Sequence, residues 1–175
     1  MLNNRICDFL VVIAIALVSF SAMAKPQMVE IKLVSIEAKK VTEKDGDELY
    51  FATSSYPSTD NPQILRVPMY PVHWLSKDLS KVKNVTLWEG VVVDNSSTLL
   101  IFSLLEQDAS LFETDDHLGS AQLKITNLDG KVTKTWGQPK FKDQPKVESR
   151  PGNEYIMFGD NGEYIVKFKV SIQAQ

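Results

Sequence analysis

The sequence is poor in the residues that most often carry chemistry. Its one cysteine, Cys7, excludes a disulfide scaffold and any cysteine-based zinc cluster. Its two histidines, His73 and His117, exclude a multi-histidine metal site. A basic excess is also missing. Lys and Arg total 19 against 22 Asp and Glu, for a formal charge of −3, which argues against a nucleic-acid binder. No Gly-x-Ser-x-Gly elbow occurs, and no EF-hand loop pattern. What is there is ordinary globular composition. The 175 residues are 43% hydrophobic and 23% charged, enough for one domain with its own core.

The N-terminus reads as an address. Arg5 precedes the apolar run Phe9–Val18, and Ala22-Met23-Ala24 follows with a small residue on each side of Met23. This layout predicts a secretory signal peptide over residues 1–24, cleaved after Ala24. The apolar core is short for a membrane span of ~30 Å. Residues 25–175 would then form one exported domain, secreted or periplasmic, with no transmembrane segment after processing. That domain contains no cysteine, so it depends on its core alone.

Along that domain the pattern is β. Val29-Glu30-Ile31-Lys32-Leu33 alternates, and the phase slips at Leu33-Val34, which predicts a bulge. Leu49–Thr53, Ile64–Met69 and Thr86–Val93 read as further strands. Thr98–Glu106 is nearly continuously apolar, the mark of a strand covered on both faces. Ala121–Thr126, Val132–Trp136, Tyr155–Phe158 and Tyr164–Ile172 complete the set, with Asp129-Gly130 and Asp160-Asn161 as hairpin turns. Trp74, Leu75, Leu79 and Val82 are spaced for one short helix, with Ser76 as its cap. Residues 137–152, rich in Pro and Lys, read as a long irregular connection. The expected fold is all-β: an antiparallel β-sandwich of about eight strands with one short helix.

Two acidic loops border apolar strands. One is Glu43-Lys44-Asp45-Gly46-Asp47-Glu48, ahead of Leu49-Tyr50-Phe51. The other runs from Glu106-Gln107-Asp108 to Asp116-His117-Leu118-Gly119. With the strands around them, these segments resemble a C2 domain, the calcium- and phospholipid-binding β-sandwich. The resemblance covers roughly Val29 to Ile125. Glu106 stands where that family usually has Asp, and the Pro of its first loop motif is missing. The resemblance implies a C2-like sandwich with calcium held by Asp45, Asp47, Glu106, Asp108 and Asp116. Independently of any family, calcium takes six to eight oxygens at about 2.3–2.6 Å, mostly from carboxylates, and these five would contribute if the loops meet. The plain alternative is that they are solvated loop acids that never converge.

Three other features have a functional and a packing reading. Trp74, Trp88 and Trp136 could form an aromatic platform, Trp136 being the best exposed candidate, or they could fill the core. Lys131, Lys134, Lys140, Lys142 and Lys146 could attract acidic lipid head groups, or could guard sheet edges. His117 beside Asp115 and Asp116 could serve as a base in a hydrolase, the third-ranked reading behind two binding ones. The favoured reading is a non-catalytic exported binding module that takes calcium and a protein or lipid head-group ligand at one end. The second is a metal-independent secreted or envelope protein that binds a partner protein through a sheet face. Mass spectrometry of the exported protein should find Lys25 as its first residue. An intact N-terminus in a membrane fraction would refute the signal-peptide reading.

Overall fold

Period-two alternation decides the architecture, because it gives each strand one apolar side to bury. The computed structural model describes residues 25–108, 114–140 and 142–173. The signal-peptide expectation falls on residues 1–24, outside the described residues, as does part of the second acidic loop, 109–113. The strands are β1 (Gln27–Lys40), β2 (Glu48–Pro57), β3 (Gln63–Val67), β4 (Trp74–Leu75), β5 (Lys83–Val92), β6 (Ser96–Glu106), β7 (Asp116–Leu128), β8 (Lys131–Gly137), β9 (Lys146–Arg150), β10 (Glu154–Phe158) and β11 (Glu163–Gln173). They form two sheets. One has the order β5-β1-β11-β10-β9. The other has the order β3-β2-β6-β7-β8, with β4 also pairing β2. All pairings are antiparallel, and the sheets pack face to face as a β-sandwich. Among the described residues, no helix is long and apolar enough to cross a membrane.

The inward rows supply the core. Val29, Ile31 and Leu33 come from β1, Leu100, Phe102 and Leu104 from β6, and Tyr164, Val166 and Phe168 from β11. Phe168 is the aromatic hub. Its ring centroid lies 5.4 Å from those of Phe102 and Trp136 and 5.9 Å from those of Phe51 and Tyr155. These spacings suit offset and edge-on packing. The other side of β6 is covered too: Ile101 is buried, while Leu99 and Leu105 are half-buried. The phase slip in β1 is a real irregularity, since pairing with β11 shifts register between Leu33 and Ser35. Trp88 is core, and Trp74 packs edge-on against Phe51.

Two expectations need correction. The predicted helix is shorter and differently made: Trp74–Leu75 pairs with Glu48–Leu49 as β4, and only Ser76–Lys81 coils, as a 3-10 turn. Ser76 does not cap it. Its hydroxyl accepts the Asp47 N–H at 2.9 Å instead, and its own N–H donates to the Asp47 carbonyl. The irregular connection over residues 137–152 contains a strand, β9. Val147 is its one buried apolar residue, so no alternation reveals it. With β4 and β9 counted, the described residues form eleven strands, and the all-β sandwich with one short helical turn stands as expected.

Leu104 is fully buried at the centre of the second sheet. Leu104→Ala should cost about 2–5 kcal/mol in chemical denaturation. A change near zero would show that β6 is not central to the core.

Candidate functional site

The acids gather at the end of the sandwich where β2 begins and β6 ends. Inward parity explains why. Thr98, Leu100, Phe102 and Leu104 face the other sheet, and Glu106 is the next residue in that row. Asp47 likewise precedes the buried row Leu49, Phe51, Thr53. Both carboxylates therefore point into the layer between the sheets, and both are buried.

The two meet different fates there. Asp47 is saturated with donors. It accepts the Thr42 N–H at 3.0 Å, the Thr42 hydroxyl at 3.0 Å, the Glu43 N–H at 2.9 Å and the Tyr164 hydroxyl. Gly46, with φ of 96°, makes the tight turn that folds this loop over its own carboxylate. Among the described residues, Glu106 is offered one weak donor, the same Thr42 hydroxyl at 3.3 Å. Burial, reinforced by the negative charges of Asp47, Glu43 and Asp108, pushes its carboxyl up to about 7.

Asp116 stands across from Glu106 in the β6–β7 register. The third acid comes from an unexpected quarter, the β10–β11 turn. Carboxylate oxygens of Glu106, Asp116 and Asp160 all lie within 4.8 Å of one another. Gly159 makes this approach feasible. A Cβ on Gly159 would stand 2.4 Å from the Leu118 Cα and 2.5 Å from the His117 carbonyl, so only glycine lets the turn press against β7. Asp160 and Asn161 both have positive φ, as a tight hairpin turn requires, and the Gly162 N–H closes it on the Gly159 carbonyl.

Of the five acids read from the sequence, Glu106 and Asp116 come together. Asp108 lies close enough for its charge to act on Glu106. Asp47 is beside them but fully engaged by the protein, and Asp45 is exposed on the loop. Asp160 was legible only as a turn residue. Its Asp-Asn pair announced the hairpin, but nothing local said which acids that hairpin would meet.

The neighbouring polar groups are also organised. The Tyr50 hydroxyl donates to Asp115, and burial and that carboxylate push Tyr50 up to about 12. The Arg66 guanidinium lies 3.6 Å over the Tyr50 ring and donates to Gln107 at 2.5 Å. His117 Nε2 lies 2.7 Å from the Ser120 hydroxyl, which in turn lies 2.7 Å from that of Ser103. Burial lowers the His117 pKa, opposed by a hydrogen bond with the Gly119 backbone. Ser120 is fully buried inside β7. His73 stands away from this cluster, 3.5 Å from Glu48.

No protein-family model matches the chain, and no curated protein matches it.

The raised pKa of Glu106 has a stability consequence. Folded Glu106 holds its proton up to about pH 7, whereas the unfolded carboxyl releases it near 4.5. Between those values the folded state binds more protons, so this group's contribution to stability falls as pH rises through the window. In metal-free buffer, Glu106→Gln should flatten the loss of melting temperature between pH 4.5 and 7 relative to wild type. Parallel pH curves for the two proteins would refute the burial of an ionisable Glu106.

Proposed function

We propose that the chain is a non-catalytic binding module that works through its acidic end, with a divalent cation, calcium, as the bridge to its ligand. One observation carries the reading: three carboxylates from three separate segments, one of them buried, converge within 4.8 Å. Three like charges at that separation repel, and a bound divalent ion relieves the repulsion. Oxygen donors suit calcium, and the three groups leave coordination positions for a carboxylate or phosphate oxygen of a protein or lipid head group. This is the mode of action that the resemblance to C2 domains implies. Here it runs through Glu106, Asp116 and Asp160, with Asp108 at the margin. Asp47 supports it by holding the loop closed. Three carboxylates on two strands and a turn predict a modest affinity, about 10⁻⁴–10⁻³ M.

A second reading has its own observation. β3 and the loop after it expose Ile64 (74%), Met69 (79%) and Tyr70 (73%), with Leu65 and Val72 beside them. This is a concentrated apolar edge of the kind that marks a protein contact. It supports metal-independent binding of a partner protein.

Millimolar calcium at pH 8 should raise the melting temperature by mass action on the native state. Asp116→Asn combined with Asp160→Asn should abolish the rise. Absence of both calcium heat and thermal shift would remove the calcium reading and leave the β3 edge as the binding surface.

A further inference from the structure

The pairing of β2 with β3 leaves particular backbone groups unused. In antiparallel sheets, residues alternate in the neighbour to which they turn their N–H and C=O. Beside β2, the Ser58 N–H donates to the Ser97 carbonyl, and the Gln107 N–H donates to the Glu48 carbonyl. The even-numbered residues of β2 therefore bond β6. Its odd-numbered residues face β3 and β4, in phase with the Ser76 N–H that donates to the Asp47 carbonyl. Opposite Phe51, Thr53 and Ser55 stand Val67, Leu65 and Gln63, whose backbone groups are spent on β2. Ile64 and Arg66 turn theirs the other way, where β3 ends the sheet. Among the described residues, no strand pairs with that border.

This border is complementary to itself. When two copies of β3 run antiparallel about Leu65, Ile64 of each falls opposite Arg66 of the other. Every N–H and C=O that these residues turn outward then finds a partner. Leu65, 44% exposed, meets the second copy's Leu65 at the axis, as the closer kind of cross-strand pair. Pro62 and Pro68 flank Leu65 symmetrically and fall opposite each other, so the ladder stops at the same point on both strands. Like charges do not meet. Arg66 faces Ile64, and its guanidinium is held over Tyr50 and bonded to Gln107. The other borders carry charges that discourage pairing: Lys83 and Glu89 on β5, Lys131 and Lys134 on β8, and Lys146, Glu148 and Arg150 on β9.

We propose that a second copy of this chain binds along β3, the two strands pairing antiparallel about Leu65 so that one sheet runs through both copies. This names the partner of the apolar β3 border and rests on that border being a binding surface. Pairing withdraws Ile64 and Leu65 from water and lays Ile64 along the stem of the second copy's Arg66. It also satisfies the outward backbone groups, which a side-chain contact alone would leave to water.

Sedimentation equilibrium of the purified protein from about 10 μM to about 1 mM, the span of a weak association, should show a monomer–dimer equilibrium. Ile64→Pro removes an N–H that only the second copy uses and leaves the β2 ladder whole. It should weaken dimerisation about tenfold or more while the melting temperature of dilute protein holds. Leu65→Cys, with Cys7→Ser, should cross-link two copies in air, because the Cα atoms of such a pair stand about 4.5 Å apart, within disulfide reach. Gln63→Cys in the same background should not, since Val67 is its cross-strand partner. A chain that stays monomeric, a dimer unaltered by Ile64→Pro, or cross-linking of Gln63→Cys in preference to Leu65→Cys would each overturn the inference. If the chain is monomeric, fluorescence anisotropy of a labelled Asn61–Met69 peptide separates the two causes. Bound peptide would leave β3 as a strand-binding surface for a different protein, and no binding would remove the β3 surface as well.

Discussion

A buried carboxylate holds one end of this sandwich together. Asp47 lies between the sheets with no exposed surface, and its charge is tolerated because Thr42, Glu43 and Tyr164 all donate to it. Those bonds tie the β1–β2 loop and β11 of one sheet to the start of β2 in the other. The Asp47 backbone exchanges two further hydrogen bonds with Ser76, which anchors the 3-10 turn. The same arrangement isolates Glu106. Its neighbour has taken the nearby donors, so Glu106 shares one hydroxyl and faces an anion. The strain on Glu106 is thus a by-product of satisfying Asp47.

The acidic end and the aromatic hub are built from the same inward rows. β11 contributes Tyr164, whose hydroxyl reaches Asp47, and four residues further on Phe168, which stacks on Trp136. In between, Val166 is fully buried. One strand therefore supports both the acidic end and the aromatic hub.

The edges of the sheets differ in charge. β9 bears Lys146, Glu148 and Arg150, and β8 bears Lys131 and Lys134, charged residues that discourage pairing with another chain. β3 bears Ile64 and Leu65, and its one charge, Arg66, is turned back onto Tyr50 and Gln107. That contrast makes β3 and the following loop the least protected border of the fold. It flanks the acidic end, since β4, directly after that loop, pairs with Glu48 and Leu49. A ligand held at the acids would lie near apolar surface.

By itself the sequence determined the class of fold, the main strands, the hairpin turns and the bulge in β1. Each follows from local rules: period two, positive-φ turn residues, and a slip of phase at Leu33-Val34. It also singled out Glu106 and Asp116 among five candidate acids, because all five lie in loops that border apolar strands, and those two carboxylates do come together. It missed β9, whose single buried Val147 makes no pattern, and it gave Ser76 to a helix cap rather than to Asp47. Only the tertiary structure decided that Asp47 is consumed by its own loop, that Asp45 stays in solvent, and that Asp160 joins the cluster. That last contact depends on Gly159 meeting the backbone of β7 some forty residues earlier in the chain. Strand patterns are written in neighbouring residues, whereas a constellation of side chains is fixed by which strands the sheets set side by side.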